Sequence, residues 1–371
     1  SGSTPNRNNS EYWNGNIAWV TTGELSSGHV NHTSELITVK AVKETKMRIY
    51  PQGTLLMAMY GQGKTRGTVA ILEIDAAVNQ ACAAITVKDG KSKFLFYQLK
   101  NSYQDIRKLS NTGNQENLNA DIIKTYQVPW APDEEQERIS TILTTQDKVI
   151  KLKEKRLAEK QRQKKYLMQQ LLTGKKRLPG FYGAWSFPKA KELFQSVSDK
   201  DHNGDLAVLS STQDRGIVPR DEVDIDIKYD ACSLVNYKKV SKGNFVISLR
   251  SFQGGIEYST YTGLVSPAYT VLSSRKEISD GYYKQFFKST DYINRLNVAV
   301  YGIRDGKQIS YEDFGRLRIP NPPIKEQDAI AEVLSTADHE IDLLQQDIEQ
   351  EKQKKKALMQ LLLTGIVRVK A

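Results

Sequence analysis

Two stretches of the chain carry apolar residues at seven-residue intervals. Leu143, Ile150, Leu157, Lys164 and Leu171 form one series, and Leu334, Ile341, Ile348, Lys355 and Leu362 form the other. A second seam runs through Ile139 and Leu167 in the first stretch and through Ile330, Ala337, Leu344 and Leu358 in the second. Heptads sustained this long predict two long helices that pack as a coiled coil. Proline closes the strand ahead of each (Val128-Pro129 and Ile319-Pro320), and acidic residues follow where a helix N-terminus favours them. Gly174 and Gly365 stand where a C-terminal glycine stops a helix. Neither helix has a partner of its own nearby. The simplest arrangement packs one on the other, antiparallel if a pseudo-two-fold axis relates them.

The two stretches are copies. Laid without a gap, Gln127–Leu178 and Arg318–Val369 agree at 20 of 52 positions, at an offset of 191 residues. Leu167-Met168-Gln169 and Leu171-Leu172-Thr173-Gly174 match Leu358-Met359-Gln360 and Leu362-Leu363-Thr364-Gly365. The chain is therefore two units of one kind. Between the helices the texture changes to Gly, Ser, Thr, Asn and Tyr with short β-branched runs such as Thr54–Met59, Thr68–Ile74, Asn244–Leu249 and Tyr269–Leu272, which predict short strands. Ser92–Asn101 and Tyr282–Ser289 read as short helices. The expected fold is α+β: globule 1–130, helix 131–175, globule 176–321, helix 322–365. The globules diverge while the helices agree, as one scaffold carrying two different readers would.

Composition narrows the function. The 371 residues hold 53 Lys plus Arg against 43 Asp plus Glu, a net charge of +10, which points to a polyanionic partner, nucleic acid before an anionic membrane. A merely basic soluble protein is the bland alternative. Two cysteines, Cys82 and Cys232, and four histidines without ligand spacing exclude a structural zinc site of the usual kind. Both thiols are expected buried and reduced, as in the cytoplasm. No signal peptide or membrane span is evident.

Three segments invite other readings. Ala58–Thr65 satisfies a relaxed phosphate-loop pattern ending Gly63-Lys64-Thr65, but Arg66–Ile74 reads as a strand and no helix opens there. A flexible, basic, glycine-rich loop is the better reading, and loss of ATP binding in Lys64→Ala is what the enzyme alternative predicts. Asn321-Pro322-Pro323-Ile324 resembles an adenine methyltransferase signature, but Ile324 lacks the ring that stacks a flipped base, so a strand-to-helix connector is expected. The basic run Lys151–Lys176 is a solvated helix face, a phosphate-binding stripe or a partner-docking surface. No serine, histidine and carboxylate set suggests nucleophilic catalysis.

At this point the residues resemble the specificity subunits of type I restriction–modification enzymes, over essentially the whole chain. Ser1-Gly2-Ser3-Thr4-Pro5, Tyr12-Trp13-Asn14-Gly15, Trp19–Leu25 and Asn79-Gln80 are similar to the opening of their target-recognition domains, and Val246–Tyr258 with Leu264–Tyr269 to another subtype. Pro-x-x-x-x-x-Glu-Gln followed by a helix ending Leu-Met-Gln-x-Leu-Leu-Thr-Gly occurs in both copies. The resemblance implies a non-catalytic DNA-recognition chain, each globule reading half of a bipartite double-stranded site. The helix pair sets the spacing: a helix of ~40 residues is ~60 Å long, against ~34 Å between half-sites one turn apart. It also implies two methyltransferase subunits docked on the helices and restriction subunits in the full complex. S-adenosylmethionine, ATP and Mg would belong to those partners; no cofactor or metal is expected in this chain. Gly180–Gln195 precedes the second recognition domain and has no counterpart ahead of the first, so a shortened start, or a lead outside the numbering, is expected.

Major-groove reading needs amide and cationic side chains on loops. In the first domain these are Tyr60, Gln62, Lys64, Thr65, Arg66, Asn79, Gln80, Asn114 and Gln115. In the second they are Arg250, Ser251, Gln253, Tyr258, Tyr269, Arg304 and Lys307. Ordinary loop chemistry is the alternative for each. An assembly scaffold that touches DNA little is the alternative for the chain, and salt-dependent DNA binding separates the two.

Overall fold

A computed structural model describes residues 1–61, 63–87, 91–109, 117–223, 231–249, 251–299 and 309–369, with the side chains at 231–233, 252 and 299 left aside. The chain divides into two compact units, Ser1–Glu154 with Asp347–Ala371, and Lys155–Gln346. Each joins a globule to one part of both long helices.

In the first unit, strands β1 (His29–Val30), β2 (Leu55–Ala58), β3 (Val69–Leu72) and β4 (Cys82–Ile85) form a sheet in the order β1-β3-β2-β4. β2 pairs antiparallel with both neighbours, Leu55 opposite Ile71 and Ile85. All four β2 residues are buried, as an apolar run covered on both faces requires. Leu55 and Met57 face helix α1 (Ser92–Asn101) through Phe94, Phe96 and Tyr97, while Leu56 and Ala58 pack on Val20, Leu25 and Val30. Helix α2 (Tyr103–Lys108) follows α1. A three-stranded sheet, Glu35–Ile37, Trp13–Val20 and Ala76–Val78, completes this globule.

The second unit repeats the plan. Strands β5 (Phe194–Val197), β6 (Phe245–Ile247), β7 (Glu257–Tyr258) and β8 (Thr270–Ser274) run in the order β7-β6-β8-β5. Here β6 takes the place of β2 and β8 that of β4. Helix α4 (Ser251–Gly254) joins β6 to β7. The core is aromatic: Phe194, Phe245, Phe287 and, from helix α5 (Asp280–Phe286), Tyr283 meet edge-on or tilted at 5.2–5.7 Å.

The heptad segments are helices α3 (Asp133–Leu171) and α6 (Ile324–Leu363). Of the seam residues, Leu143, Ile150, Leu171, Leu334, Ile341, Ile348 and Leu362 are buried, and Leu157 is half-buried. The pairing is antiparallel within each unit. In the first, Gln146 Nε2 donates to Glu351 Oε2 at 2.6 Å, Lys153 pairs with Asp347 at 2.7 Å, and Lys355 pairs with Asp147. In the second, Lys164 pairs with Asp338 and Lys160 with Glu340. Lys164 and Lys355 occupy equivalent seam positions, and Asp338 and Asp147 are equivalent too, so one ion pair is made twice. Gly174 and Gly365 end the helices at φ of 71° and 76°, where a side chain would be strained.

Candidate nucleic-acid interface

In the first unit the β2–β3 loop carries Tyr60, Lys64, Thr65 and Arg66. Gly67 N donates to Ala58 O at 2.8 Å and Ala58 N to Thr68 O at 2.9 Å, so the loop is the tip of an antiparallel hairpin. It enters a strand, β3, with no helix after Thr65, and so lacks the strand-to-helix geometry that cradles phosphates. Tyr60 and Lys64 are exposed, Thr65 is half-buried, and Arg66 is buried at 7%. Helix α2 clamps this tip. Tyr103 donates its hydroxyl to Lys64 O at 2.7 Å, and Arg107 donates to Arg66 O at 2.9 Å and to the Tyr103 hydroxyl at 3.0 Å. Tyr103 and Arg107 lie some 40 residues along and carry no sequence signal of this contact.

Asn79 and Gln80 form the turn into β4. Met59 N donates to Ala81 O at 2.8 Å, which sets that turn against the base of the hairpin tip. Gln80 is exposed and accepts from Thr4; Asn79 is half-buried, with Oδ1 buried and unpartnered. These polar groups are thus neighbours. Gln62, Asn114 and Gln115 lie outside the described residues.

In the second unit the β6–β7 connection holds Ser251 and Gln253. Ser251 is 1% exposed and its hydroxyl accepts from Ser248 N at 2.8 Å. It shapes the loop and presents no donor to solvent in this conformation, because serine at the start of a short helix satisfies a local amide first. Gln253 is exposed. Beside it sits a hairpin tip, Gln213, Asp214 and Arg215, exposed and missed by the sequence reading. Lys288 ties the two segments, donating to Gln213 O at 3.1 Å and Gly254 O at 3.0 Å while paired with Glu257. Glu257 is 2% exposed, and burial pushes its carboxyl up to about 7 against the pull of Lys288.

Tyr258 is half-buried behind this loop; it donates to Asp280 at 3.1 Å, and burial with Asp280 nearby pushes its hydroxyl up to about 12. Tyr269 packs elsewhere, on the cluster of Val240, Val246 and Val271, its carbonyl accepting from Lys238 at 2.6 Å. Arg250, Arg304 and Lys307 lie outside the described residues.

The remaining segments resolve simply. Asn321 Oδ1 accepts from Gln327 at 3.0 Å and Tyr283 at 3.1 Å, making a fully engaged strand-to-helix connector. Three members of the basic run, Lys153, Lys160 and Lys164, are spent on helix pairing. Cys82 is buried, which pushes its thiol up to about 12; the Cys232 side chain lies outside the described residues. Among the described residues no His, Cys, Asp and Glu cluster could hold a metal ion, and no helix is long and apolar enough to cross a membrane.

The architecture is that of solved specificity-subunit structures. The HsdS subunit from Thermoanaerobacter tengcongensis aligns over 95% of this chain and 91% of its own, at a TM-score of 0.51 and 16% identity. The type I restriction–modification S subunit from M. genitalium aligns over 98% and 93%, at 0.58 and 13%. At such identities the likeness is one of fold. The family described as the type I restriction modification DNA specificity domain matches residues 1–162 and 183–353, and the chain belongs to it. The MjaIX specificity subunit of Methanocaldococcus jannaschii is 33% identical over 42% of this chain and 36% of its own length. The putative MjaX specificity subunit of the same organism is 28% identical over 74% and 66%. The chain thus spans less than two thirds of either relative.

Proposed function

We propose that this chain is the non-catalytic, sequence-reading subunit of a type I restriction–modification complex. Residues 1–130 read one half of a bipartite DNA site and residues 176–321 the other. The helix pair sets the gap and docks two methyltransferase subunits, with restriction subunits joining in the full complex. S-adenosylmethionine, ATP and Mg serve those partners, and the assembly works in the cytoplasm. The observation that carries the reading is the doubled family match, in which the first copy holds a β-hairpin loop with exposed Tyr60 and Lys64 and the second a hairpin tip with exposed Gln213 and Arg215. Net charge of +10 supports a phosphate-rich partner.

The test is co-expression with a methyltransferase subunit, followed by mapping of methylated adenines in host DNA. A two-part motif with a fixed gap is expected, and replacing residues 179–319 with those of another specificity subunit should change one half only. Methylation at a motif indifferent to the exchange would favour a scaffold that touches DNA little.

A further inference from the structure

In the second unit one glutamine is exposed and yet held. Gln213 opens the tip of the hairpin formed by Leu209–Thr212 and Gly216–Pro219. The tip is closed from within: Thr212 Oγ1 donates to Gly216 O at 2.9 Å and accepts from Arg215 N at 3.1 Å. Gly216 turns the chain at a φ of 77°, and a Cβ there would stand 2.8 Å from Tyr258 O, so the returning strand lies tight against β7. Ile217 then bridges to Ser259.

The Gln213 side chain rests on the neighbouring segment. A Cβ on Gly254 would come within 2.8 Å of Gln213 Cγ, 3.2 Å of its Cδ and 3.3 Å of its Nε2. Gly254 does not adopt a left-handed conformation, so its backbone does not call for glycine; the missing side chain leaves the room that the amide occupies. Lys288 fixes both partners, because its ammonium takes the carbonyls of Gln213 and Gly254 together and is itself held by the buried Glu257. Among the described residues the Gln213 amide has no hydrogen-bond partner. A polar group that is ordered before it is bonded gives up little freedom on binding.

The place is the one that the first unit gives to its hairpin loop. β6 and β7 correspond to β2 and β3, so the β6–β7 connection carrying Gly254 stands where the β2–β3 loop stands. We propose that Gln213 reads an adenine in the second half of the DNA site. Its amide offers one acceptor and one donor side by side, which matches the N6 amino group and N7 of adenine; guanine presents two acceptors there, and cytosine a single donor. The assignment rests on residues 176–321 reading one half of the site, and names within that half the residue and the base.

The test uses the full chain in complex with methyltransferase subunits. Mapping of methylated adenines gives the motif, and the half altered by exchanging residues 179–319 is the second. Competition binding then compares the native duplex with duplexes in which each base pair of that half is exchanged in turn, A·T for G·C or the reverse. At one A·T pair the exchange should cost the wild type about tenfold or more in affinity, and Gln213→Ala should cut that cost to about twofold or less, with every other pair unaffected. Gln213 is exposed, so this variant spares the fold. Gly254→Ala, which puts a Cβ where the amide lies, should flatten the same pair although Gln213 is retained. Equal weakening on every duplex, relaxation at a G·C pair, or full discrimination kept by Gln213→Ala or by Gly254→Ala would each overturn the proposal. A wild type whose motif has no half that follows residues 179–319 would overturn the DNA reading itself; a normal two-part motif with unchanged discrimination overturns only the assignment of Gln213.

Discussion

Lys288 shows how one side chain organises a loop. Its ammonium reaches two carbonyls from segments 41 residues apart in sequence and a carboxylate buried to 2% exposure. Removing it in Lys288→Met strands the buried Glu257 charge. Lys288 keeps 27% exposure, so the expected cost is on the order of 2–3 kcal/mol, below that of a fully buried pair. Urea denaturation checks it, and an unchanged midpoint would mean that the pair is solvated. Glu257 also makes stability depend on pH. Its folded pKa, about 7, stands above the ordinary carboxylate range. Between the two values the folded state binds more protons than the unfolded one, so stability falls as pH rises toward 7. Glu257→Gln should flatten that fall in thermal unfolding followed between pH 4.5 and 7.5. For DNA reading, Arg215→Ala at the exposed hairpin tip should relax one base of the second half-site at about 1–3 kcal/mol. An equal loss on all sequences would make it a phosphate contact.

At the scale of elements, the long helices obey their periodicity, and the exceptions have a physical reason. Lysine in a seam is costly unless paired, and Lys355 is buried at 7% against Asp147, with its ammonium 5.3 Å from the Tyr97 ring centre. Tyr97 donates to the same aspartate at 2.7 Å. In the other copy Gln285 does this work on Asp338, at 2.6 Å. A residue of α1 or α5 thus engages the seam aspartate in both units, with different chemistry. Leu143 is fully buried and Leu152, nine residues on, is 66% exposed. Leu143→Ala should cost about 2–5 kcal/mol, and Leu152→Ala within ~0.5 kcal/mol; comparable losses would refute this assignment of faces.

At the scale of the whole molecule, chain order and folding unit part company. The first unit's core includes Met359, Leu362 and Leu363 from the end of α6, and Gln98 donates to Leu363 O at 2.9 Å. The second unit's core includes Leu171 and Leu172 from the end of α3. Deleting residues 347–371 should therefore expose the first globule to proteolysis within residues 92–146, although the cut is made some 200 residues away. Retained protection there would show that the globule folds without the helix end.

Much of this was legible without coordinates, for reasons of range. The repeat, the two helices with their glycine stops, the antiparallel pairing and family membership follow from local periodicity and from identity between the copies. The strand–loop–strand plan of both globules followed from composition. The loops did not yield in the same way. Whether Ser251 faces solvent or Ser248 was decided by a local choice of hydrogen-bond partner, and that Tyr103, Arg107 and Lys288 hold the loop tips was decided by contacts between segments 39 to 75 residues apart. Periodicity records which face of an element is apolar. It carries no record of which polar loop atoms meet once those faces are buried, and only the tertiary structure settles that.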